Sequence, residues 1–506
     1  MIARIATFTL DGVNSRRVEV EADIRLGLPA FTIVGLADKA VREARERVRA
    51  AIVNSGFEFP MKRITVNLAP ADLRKIGPGF ALPLALAVLV AARQLEPGRL
   101  EDCAVIGELS LTGEIRPVRG ALAVAEGARR TSIGRLLLPH LLGREAALVP
   151  ELEVLGARSL QHAVAILTGE EAAVPPEEAP PPPDPQGDLP DLADVRGHNA
   201  LVPALEIAAA GGHNLFMHGP PGTGKTMLAR RLPSILPPLG PDEALEVTRI
   251  QSVAGLHHGA GLATVRPFRA PHHTISPAGL VGGGVPPAPG EATLAHHGVL
   301  FLDELSEFPR SALEALRQPL EDGHVTIVRG QQGMAFPTRF MLVAASNPCS
   351  CGLGDDEGCT CSPGERIRHR RRLSGPLLDR IDVLVAVRRP PALALRTQEA
   401  PGSAEVRERV VLARERQSRR LRPHGVACNA HMGARLLREQ ANATPSALRL
   451  LYELHDRHRL SARGHSRVLR VARTVADLEA SDVVGPEHVA LAAGLRFESA
   501  ALAEAA

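Results

Sequence analysis

Residues 215–231 read LFMHGPPGTGKTMLARR and decide the fold of the middle of the chain. The apolar residues 215–217 are typical of a buried strand, and a helix-forming stretch follows the loop. Between them stand Gly219, Pro220, Pro221, Gly222, Thr223, Gly224, Lys225 and Thr226, the Walker A pattern in its expected context. Glycines let backbone N–H groups turn toward phosphates, and the start of the helix adds partial positive charge. We predict that residues 219–226 bind the phosphates of ATP.

Lys225 is a lysine in a chain whose basic residues are almost all arginine. Of the 59 basic residues only four are Lys, and Lys225 is the single Lys after residue 75. A compact ammonium fits a phosphate cradle better than the fork-shaped guanidinium of Arg. We expect Lys225 to reach the β- and γ-phosphates and the Thr226 hydroxyl to bind Mg²⁺.

Two later apolar stretches end in polar residues suited to ATP hydrolysis. Residues 299–302 predict a buried strand that ends at Asp303 and Glu304, the Walker B pattern. We expect Asp303 to hold Mg²⁺ and Glu304 to polarise the attacking water, which makes the protein a hydrolase. Residues 340–346 predict a further strand, and Asn347 at its end is placed to contact the γ-phosphate and the water.

Composition narrows the class of protein. A length of 506 residues suggests about three domains. Only thirteen residues are aromatic, which argues against a nucleic-acid binder that stacks bases on many aromatic side chains. The net charge of +3 argues against a protein that coats nucleic acid through its overall charge. The longest apolar run, residues 80–92, is shorter than the ~18 residues of a membrane span and predicts a buried helix. The N-terminus has no signal pattern, so we expect a cytoplasmic protein without membrane contact.

Three domains and one linker follow from the patterning. Residues 170–190 are rich in Pro and acidic residues, cannot bury a core, and predict an extended linker. Residues 1–169 alternate strand and helix patterns, so we predict a mixed α/β domain there. Residues 191–390 repeat the alternation, whereas 391–506 predict an all-helical domain that includes Tyr452 in its core. The predicted fold class is therefore α/β with a helical C-terminal domain.

The order of Walker A, Walker B and a strand-end Asn resembles the AAA+ ATPases. The segment 373–382, LSGPLLDRID, is similar to the one that carries an arginine finger in MCM helicases and magnesium chelatase. This resemblance implies that Arg380 reaches the γ-phosphate of the neighbouring subunit, with Arg372 as the alternative finger. Residues 460–477 resemble the sensor-2 helix of the AAA+ lid, which implies a nucleotide contact by Arg467, or by Arg463 or Arg470.

Residues 268–304, which contain FRAPHHTISPAGLVGGG and GEATLAHHGVLFLDE, resemble the signature of the YifB/ComM family of magnesium-chelatase-like ATPases. The resemblance covers nearly the whole chain. It implies a hexameric ring, ATP hydrolysis between subunits and, as in ComM, helicase activity in DNA branch migration during natural transformation.

The N-terminal region resembles the Lon-protease-like domain of this family, which implies the fold but not the activity. Gly79 stands where Lon has its catalytic Ser, and Leu122 stands where Lon has its catalytic Lys. A Ser–Lys protease needs both groups, so we expect a binding or assembly module without proteolytic activity.

Four cysteines form a cluster in the sequence: Cys349, Cys351, Cys359 and Cys361. Four thiolates suit tetrahedral Zn²⁺, although the spacing departs from the usual pattern with two to four residues between each pair. With every ligand from the protein, such an ion would be structural. The alternative is a loop of reduced thiols.

Three residues are candidates for DNA contact. The strand-turn segment 324–330 follows Walker B, and related rings place such a hairpin in the pore, where Arg329 would grip phosphates. His272 and His273 in the inserted element are further candidates, with a metal pair as their alternative. The favoured function is an ATP-driven ring motor on branched or single-stranded DNA. The alternative is a chelatase-like ATPase that remodels a protein partner.

Overall fold

The computed structural model describes residues 2–177, 189–257, 261–285, 287–329, 332–354, 358–373, 375–397, 399–458 and 460–497. It shows a mixed α/β N-terminal region, an α/β region around the glycine-rich loop and a helical C-terminal region. This agrees with the predicted fold class. Most of the predicted linker, residues 178–188, lies outside the described residues, and the domain boundaries stay predictions.

The N-terminal region is built on a seven-stranded mixed sheet with the order β3-β4-β2-β1-β5-β8-β9. A separate short hairpin pairs β6 with β7. The strands are β1 (Ile2–Asp11), β2 (Asn14–Arg25), β3 (Ala30–Val34), β4 (Arg63–Ala69), β5 (Cys103–Val105), β6 (Glu108–Leu109), β7 (Ile115–Arg116), β8 (Arg135–Pro139) and β9 (Glu153–Ala157). The helices are α1 (Lys39–Asn54), α2 (Ala81–Ala91), α3 (Ala121–Arg130), α4 (Gly143–Ala146) and α5 (Leu160–Thr168).

Helix α2 forms the centre of this region, and all of its residues are buried. The prediction of a buried helix at residues 80–92 is therefore confirmed. Strands β1 and β2, which the sequence interpretation missed, form an antiparallel pair in the middle of the sheet. In β2 the buried Val18, Val20 and Ala22 alternate with charged residues, so one face packs on the core around α2, and α3 covers part of the other face.

The middle region contains a five-stranded parallel sheet with the order β11-β14-β17-β10-β18. Two short hairpins, β12–β13 and β15–β16, lie outside this sheet. The strands are β10 (Leu215–His218), β11 (Phe268–Arg269), β12 (Gly282–Gly283), β13 (Ala288–Pro289), β14 (Val299–Leu302), β15 (His324–Arg329), β16 (Gln332–Pro337), β17 (Met341–Ser346) and β18 (Val383–Ala386).

The helices of the middle region precede, connect or follow the strands of this sheet. They are α6 (Val202–Gly211), α7 (Lys225–Ile235), α8 (Pro241–Ala254), α9 (Pro277–Val281), α10 (Glu291–Leu294), α11 (Arg310–Ala315), α12 (Arg317–Asp322), α13 (Pro363–Arg372), α14 (Gly375–Leu378) and α15 (Ala392–Thr397). Strands β14 and β17 are fully buried, as their continuous apolar sequences predict for a covered parallel sheet.

The C-terminal region is helical throughout the part of it that the structure describes. Its helices are α16 (Ser403–Leu421), α17 (Ala434–Gln440), α18 (Pro445–His458), α19 (Ala462–Leu478) and α20 (Pro486–Phe497). Helices α16 and α19 pack on α6, so the helical region and one face of the parallel sheet share a hydrophobic core. Tyr452 was wrongly expected in this core. It is 58% exposed, because it lies on the outer side of α18.

Helix α8 of the middle region packs on α3 of the N-terminal region. Glu145 is buried and accepts hydrogen bonds from the Leu122 backbone N–H and from the Ser252 hydroxyl of α8. An ion pair between Arg249 and Glu126 (3.2 Å) flanks this contact. Leu122 therefore lies at a junction between two regions.

None of the helices among the described residues combines the length and apolarity that crossing a bilayer would require.

Candidate active site

The predicted phosphate site comes together at one edge of the parallel sheet, the edge formed by the carboxyl ends of its strands. Strand β17 lies between β14 and β10, and all three strands are parallel. The glycine-rich loop follows β10, Asp303 and Glu304 follow β14, and Asn347 follows β17. Carboxyl ends of parallel strands form the usual ligand crevice of open α/β sheets, so these groups converge there.

The backbone of the loop requires its glycines. Gly222 and Gly224 have φ angles of +73° and +88°, which side chains other than that of Gly rarely adopt. A side chain on Gly219 would collide with the carbonyl oxygen of Val387. The loop therefore keeps a backbone cradle open at the start of α7, where helix N–H groups favour an anion.

Lys225 reaches across this cradle. Its ammonium donates hydrogen bonds to the carbonyl oxygens of Gly219 (2.7 Å) and Pro220 (2.8 Å) and to Asn347 Oδ1 (3.0 Å). Burial lowers the pKa of Lys225, while the charges of Asp303 and Glu304 oppose that shift. A buried cation held by neutral oxygens is suited to exchange them for anionic phosphate oxygens.

Thr226 and Asp303 meet at the same edge. The Thr226 hydroxyl donates a 2.6 Å hydrogen bond to Asp303 Oδ2. A hydroxyl and a carboxylate in contact beside the phosphate cradle are the oxygen donors that Mg²⁺ uses in nucleotide sites. The residues present thus fit both ATP and Mg²⁺.

Glu304 stands beside the phosphate edge with an exposed carboxylate. Its φ angle is +53°, and its backbone N–H donates to Asp303 Oδ1 (3.0 Å). Glu304 Oε2 lies 3.5 Å from His273 Nδ1, and the His273 ring lies 4.1 Å from the His272 ring, centroid to centroid. The histidine predicted to contact DNA is thus in contact with the predicted general base, a relation that sequence reasoning missed.

Arg380 and Arg467 lie at the opposite edge of the sheet, the edge formed by the amino ends of the strands. Asp382, just before β18, accepts a hydrogen bond from the backbone N–H of Asn214, just before β10. Arg467 donates to the Asp379 carbonyl and lies 3.4 Å from Asp382, and Arg380 pairs with Glu321 at 2.5 Å. Since about 3.3 Å separates successive strand residues, the four-residue β10 puts this edge on the order of 10 Å from the glycine-rich loop.

Two of the alternative arginines join Arg380 and Arg467. Arg463 shares Glu321 with Arg380 (3.2 Å), and Arg470 lines the same cavity of about 620 Å³. Arg372, the alternative finger, instead lies 3.5 Å from Glu307, after the Walker B strand. The structure therefore gathers four arginines at one edge and the residues predicted to bind phosphate at the other.

The four cysteines come together, as the sequence predicted for a metal site. Their sulfur atoms lie within 4.8 Å of one another, and those of Cys349 and Cys351 are 3.2 Å apart. The set can hold one metal ion through four thiolates.

A second cluster, Glu246 with His296 and His297, has the composition of a metal site but not its hydrogen bonding. The Arg339 backbone N–H donates to His296 Nδ1 (2.9 Å), so His296 Nε2 carries the ring proton and donates it to Glu246 (3.0 Å). Burial lowers the pKa of His296 to about 4, although Glu246 opposes that shift. A neutral histidine satisfied on both nitrogens leaves no lone pair for a metal.

The predicted pore hairpin is present. β15 and β16 pair antiparallel, and Arg329 ends the first strand opposite Gln332. The side chain of Arg329 lies outside the described residues.

The chain matches family models for magnesium chelatase along most of its length. The model "Magnesium chelatase, subunit ChlI" covers residues 191–395, "Subunit ChlI of Mg-chelatase" covers 20–141, and "Magnesium chelatase, subunit ChlI C-terminal" covers 400–496. The three matches together span all three regions of the fold.

Curated relatives match over nearly the full length of both chains. An uncharacterized protein of Mycobacterium tuberculosis H37Rv is 44% identical over 98% of each chain. YifB of Escherichia coli K12 is 42% identical over 96% of this chain and 95% of its own. The competence protein ComM of Haemophilus influenzae is 40% identical over the same shares.

One partial match concerns a protease. Lon protease of Chloroflexus aurantiacus is 33% identical over 130 residues, which are 24% of this chain and 15% of that protein.

Proposed function

The chain belongs to the YifB/ComM family of magnesium-chelatase-like proteins, and from that premise we propose that it is an ATP-hydrolysing ring motor that acts on DNA. Its family and the phosphate site make it a protein of the AAA+ ATPase type. The observation that carries the proposal is the convergence of Lys225, Thr226, Asp303 and Asn347 at one sheet edge. ATP and Mg²⁺ are the cofactors of turnover, and Zn²⁺ is a structural ion on the four-cysteine loop.

Each residue at the edge has a distinct part in hydrolysis. Lys225 and the loop N–H groups bind the β- and γ-phosphates, and Thr226 with Asp303 hold Mg²⁺. Glu304 takes up a proton from the attacking water, and Asn347 orients that water against the γ-phosphate. Mg²⁺, when bound, neutralises charge that develops on the phosphate oxygens.

The separation of the two sheet edges supports assembly into a ring. Arg380 cannot reach the phosphates of its own subunit from the opposite edge, but it can complete the site of a neighbour. A head-to-tail interface of this kind closes into a ring when the rotation per subunit allows it. We propose a hexamer in the cytoplasm, in which the β15–β16 hairpins line a pore and grip DNA phosphates.

The decisive experiment measures ATPase rate with and without forked DNA at moderate salt, together with strand displacement on the same substrate. We expect DNA to stimulate hydrolysis and the fork to be unwound, with Lys225→Ala inactive in both assays. A hexamer that hydrolyses ATP without stimulation or displacement would refute the DNA motor and favour the remodelling of a protein partner.

A further inference from the structure

The loop that carries the four cysteines continues directly from Asn347 and packs against the glycine-rich loop. We infer that a Zn²⁺ ion bound by Cys349, Cys351, Cys359 and Cys361 holds Asn347 and the glycine-rich loop in the positions that ATP turnover requires. This role rests on the proposed ATPase function, whereas the metal site itself does not.

The sulfur positions suit a tetrahedral ion. Cys349 and Cys351 Sγ lie 3.9 Å and 3.5 Å from Cys359 Sγ, and 3.2 Å from each other. Zinc–sulfur bonds of about 2.3 Å in tetrahedral geometry place sulfurs about 3.8 Å apart. These spacings are too long for disulfides, and all six cysteines are free thiols.

The surroundings of Cys349 also favour a thiolate ligand. Cys349 is buried, and the backbone N–H of Gly354 donates to its sulfur at 3.2 Å. Hydrogen bonds from the backbone to ligand atoms orient metal ligands and are part of a metal site. Four protein thiolates leave no position for water, so the ion acts on structure and takes no part in the reaction.

One end of the loop is fixed to the phosphate edge. Cys349 is two residues from Asn347, whose side chain accepts the hydrogen bond from Lys225. His369 Nε2–H donates a 3.1 Å hydrogen bond to the Asn347 carbonyl oxygen, and His369 lies on α13, which starts two residues after Cys361. An ion on the four thiols would therefore fix the segment between Asn347 and α13, which contacts Asn347 again through His369.

The middle of the loop contacts the glycine-rich loop itself. Gly352 has a φ of +89°, and a Cβ placed on it would lie 2.7 Å from Pro221 Cδ. Only a glycine permits this close approach. The cysteine loop thus packs against the outer side of the phosphate cradle. A bound ion would fix the conformation of the cysteine loop.

The test begins with zinc content, measured by mass spectrometry on protein purified without added metal. We expect about one zinc per chain in the wild type and at least a fivefold loss in Cys359→Ser. Ser350→Ala is the matched control, since it alters the same loop and keeps all four thiols. Wild-type protein without zinc would overturn the inference.

The positioning role is tested by kinetics on the same proteins. Cys359→Ser should lower kcat by about ten- to hundredfold, because small displacements of catalytic groups are costly. Cys359→His, which restores a zinc ligand, should recover zinc and most of kcat. Full activity in zinc-free Cys359→Ser would overturn the positioning role.

Gly352→Ala separates the loop contact from the metal. It should retain one zinc per chain and yet weaken ATP binding at least fivefold, because its methyl group displaces Pro221. Wild-type ATP affinity in this variant would overturn the contact with the glycine-rich loop. Zinc-replete wild-type protein without any ATPase activity would refute the proposed function and leave the metal site in place.

As a safeguard against misfolding, zinc is also removed from the wild type with a zinc-selective chelator in the presence of Mg²⁺. We expect kcat to fall and to return when zinc is added back. Unchanged turnover after measured loss of zinc would overturn the inference without any mutation.

Discussion

Glu304 follows the Walker B strand directly. Its backbone has a left-handed conformation, and its carboxylate is exposed. Glu304→Gln keeps the size of the side chain but removes its ability to take up a proton. We expect ATP affinity within a few-fold of the wild type and a hydrolysis rate lower by about 10²- to 10⁴-fold. Binding of a fluorescent ATP analogue and release of phosphate measure the two effects. A variant that hydrolyses ATP normally would show that Glu304 is not the general base.

His273 holds the Glu304 carboxylate from the side of the inserted element, with 3.5 Å between Nδ1 and Oε2. We expect His273→Ala to free that carboxylate and raise basal ATPase activity by up to about fivefold, the equivalent of ~1 kcal/mol for a partly exposed pair. DNA stimulation should shrink correspondingly. His272→Ala is the comparison, because it removes the ring beside His273 but leaves the contact between His273 and Glu304, so its basal rate should change less than that of His273→Ala. A lower basal rate in His273→Ala would contradict this role.

The two residues show what a sequence can and cannot give at this scale. Glu304 was predictable because Walker chemistry fixes its position directly after Asp303. The contact of His273 with Glu304 was not, because it depends on how the loop after β11 folds back over the end of β14. The signal that was available, a pair of histidines in the inserted element, suggested contact with DNA or, as the alternative, a metal pair, and gave no sign of Glu304.

At the scale of elements, a helix or strand could be predicted from the sequence when its own residues carried a clear hydrophobic pattern. Helix α2 is apolar on every side and was found with nearly its observed bounds. Strands β1 and β2 were missed although β2 alternates buried Val18, Val20 and Ala22 with charged residues. Such alternation is a strand signal, but the many charged residues make β2 look like a surface segment. Its central place in the sheet depends on pairing with β1 and β4, which are distant or unrecognised in the sequence.

The junction of α3 and α8 yields a prediction about stability. Glu145 is buried and accepts hydrogen bonds from Leu122 and Ser252, so its removal leaves two donors unsatisfied. We expect Glu145→Ala to lower the free energy of unfolding by about 1–3 kcal/mol. Urea unfolding followed by circular dichroism measures the change.

Glu145→Gln is the matched control for this junction. Its amide oxygen can still accept from the Leu122 N–H, so the loss should be smaller than in Glu145→Ala. Equal stability of the wild type and Glu145→Ala would show that this contact does not hold the two regions together.

At the scale of the whole molecule, the parallel sheet separates the residues predicted to bind phosphate from the arginine cluster. Sequence reasoning named the members of both groups, but the distance between them became visible only with the strand order and direction. If Arg380 acts on a neighbouring subunit, as we propose, each subunit carries one half of a catalytic site at each edge. This arrangement gives a physical reason for assembly that does not depend on the family, while the number of subunits rests on family membership alone.

Two inactive variants should restore each other if Arg380 acts on a neighbour. Glu304→Gln lacks the general base and keeps the arginine, whereas Arg380→Ala lacks the arginine and keeps the base. In rings mixed at equal amounts, about a quarter of the head-to-tail interfaces join an intact phosphate edge to an intact arginine edge. We expect ATPase activity to rise with mixing toward that fraction of the wild-type rate, and mixing with Lys225→Ala in place of Glu304→Gln to give the same rise. Since every subunit of the mixture is defective, recovered activity can arise only between subunits. Mixed rings as inactive as their parents would place Arg380 outside the neighbour's site and remove the structural reason for a ring.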